Sequence, residues 1–217
     1  KNIEEARKHE MVAGGTGPSL GSRTVELYEP AANTWTLLNT QLASARTQHG
    51  AALLPDGKTV LLIGGLNASL APLTTAEFFV ADDTGSTETP QGTVAGAGLY
   101  TAVALGDGTV LAVGSSTSTA TRFDPTTASW TTSTMNSARV TPTMTALADG
   151  RVLLAGGSTL NTAEIYDPQA NGSMLAAPMT TARRGAVATL LGDASVLVIG
   201  GFANDPGLLA GVERFMP

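Results

Sequence analysis

The chain has 217 residues, 12 Lys plus Arg against 18 Asp plus Glu, a net charge of −6 and no cysteine. That balance argues against nucleic acid and anionic lipid as partners, because phosphate is gripped by clustered Lys and Arg and no basic run exists. The lack of cysteine removes disulfides, thiolate metal centres and Cys nucleophiles. Apolar runs such as Thr59 to Ile63 fall far short of the ~18 to 20 residues that insert across a bilayer.

In chain order, residues 1–10, "KNIEEARKHE", are too charged for a signal peptide and are expected to be irregular or a partial first strand. From there the sequence repeats. An apolar strand ending in a glycine pair recurs as "MVAGG", "VLLIGG", "VLLAGG" and "VLVIGG", with a fifth, degenerate copy in "VLAVGS". The first glycines (Gly14, Gly64, Gly114, Gly156, Gly200) are spaced 50, 50, 42 and 44 residues apart, a period expected of stacked supersecondary units. Before the later copies stands an apolar segment and a turn: "HGAALLPDGK", "YTAVALGDGT", "MTALADGR", "AVATLLGDAS". Asp-Gly between apolar runs predicts a two-residue type I′ hairpin. After the glycines comes a third strand, "TVELYEP", "TAEFFVA", "TATRFDP", "TAEIYDP" or "GVERFMP". Trp35 and Trp130 follow Tyr28 and Phe123 by seven residues, in a fourth strand. The glycine strand reads as continuous Val, Leu and Ile, which predicts sheets covered on both faces.

The order of glycine doublet, "VE.Y.P" segment and tryptophan resembles the bacterial-type Kelch repeat. The resemblance covers almost the whole chain. It implies an all-β β-propeller of four-stranded antiparallel blades, about five of them, filling residues 1–217 as one domain, or an arc of a six- or seven-bladed ring. Tyr28, Trp35, Phe123, Trp130 and Tyr166 are expected in the core between blades.

Arg46, Arg139 and Arg183, with Arg7 as a fourth, stand at the head of strand one, which the resemblance places at the mouth of a central channel. In Kelch adaptors of ubiquitin ligases, arginines at the matching place capture acidic peptides, and a guanidinium suits a carboxylate bidentately. The competing expectation is structural pairing with Glu26, Glu77, Glu164 and Glu213 of strand three. The repeat with Ala97 in place of the arginine also has Thr121 in place of the glutamate. Copper-radical sugar oxidases share the Kelch propeller but need a Cys-Tyr crosslink, which a chain without cysteine cannot make. His9 and His49 are the only histidines, too few for most catalytic metal sites, so no metal and no cofactor is expected. Asp82 and Asp83 read as a solvated turn, Asp56, Asp107, Asp149 and Asp193 as hairpin residues, and the sequons at Asn67 and Asn171 as chance matches in loops.

The function expected is a noncatalytic protein-interaction or scaffold module, with contacts on the loops 66–74 and 204–211. A carbohydrate-binding cell-surface module is the first alternative, with Tyr100 its least explained aromatic. A sugar-modifying epimerase or hydrolase is the second. An extracellular or cell-surface bacterial setting is favoured by composition.

Overall fold

The computed structural model of the chain describes residues 10–17, 21–80, 89–94, 98–203 and 207–217. Within them the protein is all-β, with eighteen strands in five antiparallel sheets and no α-helix. The first sheet is β1 (Glu10–Ala13), β2 (Val25–Glu29) and β3 (Thr34–Leu37). The second is β4 (Gly50–Leu53), β5 (Thr59–Ile63), β6 (Thr75–Val80) and β7 (Thr89–Thr93). The third is β8 (Tyr100–Ala104), β9 (Val110–Gly114), β10 (Thr117–Asp124) and β11 (Ser129–Arg139). The fourth is β12 (Thr143–Ala146), β13 (Val152–Ala155), β14 (Ala163–Asp167) and β15 (Gly172–Ala176), and the fifth β16 (Val187–Leu190), β17 (Val196–Ile199) and β18 (Val212–Phe215). Each sheet is a meander in which spatial order follows sequence order.

Hairpin chemistry sets the strand spacing, though not by the turn that Asp-Gly suggests. Leu54 and Thr59 close a longer loop, in which the Gly57 amide donates to the Leu54 carbonyl. Gly57 has φ 75, while Asp56 is absent from the left-handed region. Asp56 Oδ1 accepts the amides of Lys58 and Thr59 at 3.0 and 2.8 Å. The side chain thus folds the loop as an Asx turn, leaving only one residue with positive φ. Asp107, Asp149 and Asp193 repeat the device, each accepting the amide two residues on.

The sheets stack face to face. First strands lie side by side, β4 with β8, β8 with β12 and β12 with β16, while at the far side β11 lies against β15. From the second sheet to the fifth, the face carrying the third-strand aromatic packs on the sheet before it. Phe79 meets Val25, Phe123 meets Ile63 and Ala76, Tyr166 meets Val113 and Met135, and Phe215 meets Leu153 and Ala163. Being covered on both faces, β9 and β13 are buried along their whole length, and β5 in all but its first residue. In the end sheets β1 and β17 are buried only on alternate residues, as strands with one solvated face should be.

Two aromatics show what that stacking decides. Trp130 pairs across strands with Phe123, ring centroids 4.7 Å apart, and packs on the second sheet's cluster. Trp35 pairs in the same register with Tyr28 at 5.0 Å, yet is 54% exposed rather than in a core, because no described sheet covers that face. Trp130→Ala is expected to lose about 3 kcal/mol of stability and Trp35→Ala about 1 kcal/mol, a contrast that urea denaturation measures directly.

Tyr100 is also structural. Its buried ring lies over Gly64, where a Cβ would come within 2.1 Å of it, and over Gly114 at 2.8 Å. It is unavailable as a sugar platform.

Candidate functional site

The three described arginines at the heads of the first strands are enclosed. Arg46, Arg139 and Arg183 are 1%, 0% and 3% exposed. Each meets the glutamate of its own sheet's third strand: Arg46 with Glu77 at 2.5 Å, Arg139 with Glu164 at 2.8 Å, Arg183 with Glu213 at 2.9 Å. Each also donates to the carbonyl of its sheet's first doublet glycine, Gly64, Gly156 or Gly200, at 2.6–2.7 Å. A further donation reaches the carbonyl of Thr75, Thr162 or Gly211, at the head of the third strand.

The glutamates do more than neutralise. Glu77 accepts the amide of Ala43, Glu164 those of Asn136 and Ser137, and Glu213 those of Thr180 and Thr181. Ala43, Asn136 and Thr180 each stand three residues before their arginine, so one carboxylate holds both ends of the incoming segment. Burial pushes Glu213 up, but the Thr180 amide and hydroxyl, the Arg183 guanidinium and the Thr181 amide outweigh it and hold the carboxyl below the usual range.

The backbone of the same arginine faces the other way, toward the preceding sheet. The Gly15 amide donates to the Arg46 carbonyl and the Gly157 amide to the Arg183 carbonyl, at 2.9 and 2.8 Å. A Cβ on Gly14 or Gly156 would sit 2.4 or 2.2 Å from those carbonyl oxygens. Here glycine is required twice over, by close approach and by φ of 66 and 68. In the third sheet Ser116 stands in for the doublet and donates to the Arg139 carbonyl at 3.3 Å. Each arginine is therefore a clamp, with its carbonyl on one sheet and its guanidinium inside the next. Where the third sheet lacks the glutamate, Thr121 takes its place, 2% exposed.

Of the other residues singled out from sequence, Glu26 is exposed and no described cation faces it; Arg7, His9, Asp82, Asp83 and Ala97 lie outside the described residues. Tyr166 is buried, and its hydroxyl donates to Asn171 Oδ1 at 2.9 Å, as Tyr28 does to Asn33. Both asparagines have positive φ, 48 and 53, in the turn to the fourth strand. That Tyr-Asn lock, at a spacing of five residues, went unread in the sequence although its signal is there twice.

His49 packs against Gly14 and Gly65, and its Nδ1 has no hydrogen-bond partner among the described residues. Burial, with the Arg46 charge beside it and Glu77 opposing, pushes its pKa down from 6.5 to about 4. The unfolded chain thus takes up a proton near pH 6.5 that the folded chain refuses until about pH 4, so stability falls as the pH drops between those values. Up to about 3 kcal/mol is expected to go. Comparing urea midpoints at pH 7 and 4.5 should show a smaller loss in His49→Gln than in the parent chain.

A shallow depression at the hairpin end of the second and third sheets, about 640 Å³, is lined by Asp107, Arg122 and Asp124. Arg122 is committed to Asp107 at 2.5 Å, to Thr109 at 2.8 Å and to the Pro168 carbonyl at 3.0 Å. Burial pushes Asp107 up, but Thr109 and Arg122 win and hold it low, and Asp124 is held low by Thr126. Among the described residues no group of three His, Cys, Asp or Glu side chains is placed to hold a metal ion.

The loop 66–74 is preformed. Asn67 Oδ1 accepts the amides of Ser69 and Ala71 at 2.8 and 2.9 Å, and the Leu70 amide donates to the Asn67 carbonyl. These bonds hold Leu70 at φ 59 with its side chain 49% exposed. In the loop 204–211, residues 204–206 lie outside the described residues; Leu208 beyond them is 80% exposed. Compared with protein-family models and with curated proteins, the sequence has no match.

Proposed function

We propose that the chain is a Kelch-type β-propeller, about five blades or an arc of a larger ring, that works as a noncatalytic protein-interaction module. The observation that carries this reading is the preformed loop 66–74, which presents Leu70 on a scaffold that needs no ordering when a partner arrives. The clamp geometry supports it from the other side. Arg46, Arg139 and Arg183, which an acidic-peptide site would use, are spent on their own sheets. The carboxyls with a resolved shift, among them Asp56, Asp107, Asp149, Asp193 and Glu213, all lie below their ordinary values. A general acid for sugar chemistry wants the reverse.

A photo-crosslinking amino acid at Leu70 tests the reading, with the same group at Thr36 as control. Crosslinking to one defined polypeptide from position 70 and not from 36 is the expected result. Equal, diffuse labelling from both, or turnover of a glycoside substrate by the purified chain, would end it.

Carbohydrate recognition keeps one specific observation, the exposed Trp35 ring tilted on Tyr28. A glycan array probed with the parent chain and with Trp35→Ala decides that alternative.

A further inference from the structure

The fifth sheet has three described strands where the second, third and fourth have four. The outer edge of β18 pairs with no described strand, and beside it runs a groove of about 290 Å³. Its walls come from two sheets: Leu153, Ala155 and Ala163 of the fourth, Val198 and Phe215 of the fifth, with Met179 between them. Met174, on the same face of the fourth sheet as Ile165, extends the apolar wall and is 61% exposed. In the preceding pair of sheets that position is filled, because β11 lies against β15 there.

The other sheets also say what fills it. The third-strand aromatic is paired across strands with Trp35 in the first sheet, Trp130 in the third and Ser173 in the fourth. The glutamate position, or Thr121 in its place, is paired with Leu37, Thr132 and Leu175. By its register with Val196, Phe215 is the aromatic of the fifth sheet, as Phe123 is by its register with Val110. A strand added antiparallel to β18 would therefore set one side chain against Phe215 and the next but one beside Glu213. Both would point into the groove.

We propose that this edge is a peptide-binding site, and that its occupant is an extended segment of a different polypeptide with tryptophan opposite Phe215 and threonine or leucine two residues on. Strand addition suits a free edge, since backbone pairing gives affinity and alternate side chains give specificity. A second copy is the poorer donor. Its tryptophan strands, β3 and β11, are already paired along their own third strands and would have to be unpaired first. The inference deepens the interaction-module reading but does not depend on the loop 66–74.

The test uses the 217-residue chain and a fluorescein-labelled peptide of residues 127–135, which carries the fourth-strand pattern around Trp130. Saturable binding by fluorescence polarisation is expected. It should weaken at least tenfold when the peptide's tryptophan becomes alanine, and at least fivefold when the exposed Met174 of the protein becomes glutamate. Unchanged binding in both variants overturns the site. Dimerisation of the chain in sedimentation runs, reversed by the peptide, overturns the choice of a foreign donor in favour of a second copy. Loss of peptide binding with crosslinking from position 70 intact removes this inference alone.

Discussion

Replacing Arg139 by methionine is expected to destabilise the protein by about 3–5 kcal/mol, the usual result of stranding one member of a buried ion pair. The side chain is 0% exposed and joins Glu164, the Gly156 carbonyl and the Thr162 carbonyl and hydroxyl. Removing it leaves a carboxylate with no solvent and no cation. Many buried pairs can be exchanged for apolar residues without loss, but this one is expected to resist. The double variant Arg139→Met, Glu164→Leu would still orphan the amides of Asn136 and Ser137, which Glu164 accepts at 2.7 and 3.1 Å. At ~1–3 kcal/mol for a buried donor left unpaired, the double variant should stay at least about 2 kcal/mol below the parent. Lysine should rescue little, because a point charge cannot reach carboxylate and carbonyls together as the planar fork does. A single-variant loss under 1 kcal/mol in urea denaturation would contradict a clamp.

Gly156→Ala is the second large effect. The new Cβ would stand 2.2 Å from the Arg183 carbonyl oxygen, a backbone atom that cannot turn aside, at φ 68. Left-handed strain of ~1 kcal/mol or more and overpacking of ~1–3 kcal/mol together predict a loss of roughly 3 kcal/mol. The neighbouring bond from Gly157 to the same carbonyl would be disturbed as well. Gly150→Ala is the matched control. It has φ 88 but open space where the Cβ would go, so it should pay only the conformational part, about 1 kcal/mol. Equal melting temperatures for the two variants would mean that the carbonyl yields and the doublet is not a contact site.

These two residues show what was legible in the sequence. Strand content, the glycine doublets and the hairpins are written locally, in apolar runs, Gly-Gly and Asp-Gly, and they could be read off in order. The shared loss of arginine and glutamate in the third repeat hinted at pairing. Nothing local says that the arginine's carbonyl grips the sheet before its own, since that contact spans Gly15 to Arg46. The turn type was misread for a related reason. Asp-Gly matches a mirror-image hairpin, but the aspartate side chain captures the following amides first, and Ala194 at φ 66 shows the loop keeping its shape without glycine. Trp35 has the spacing of Trp130 and a different fate, because burial depends on what lies beyond a sheet as well as on the strand itself.

The stacking has a thermal consequence. The main contacts between sheets run only between neighbours, so the chain should behave as a short one-dimensional array in which each unit is stabilised by the units it touches. Sheets one and five have a single such neighbour. Their amides, Leu27 and Leu197 among them, should exchange with deuterium well before those of Leu111 and Leu153 in the doubly flanked middle. On warming, the array would peel from its ends inward, and calorimetry should find a van't Hoff enthalpy smaller than the calorimetric one.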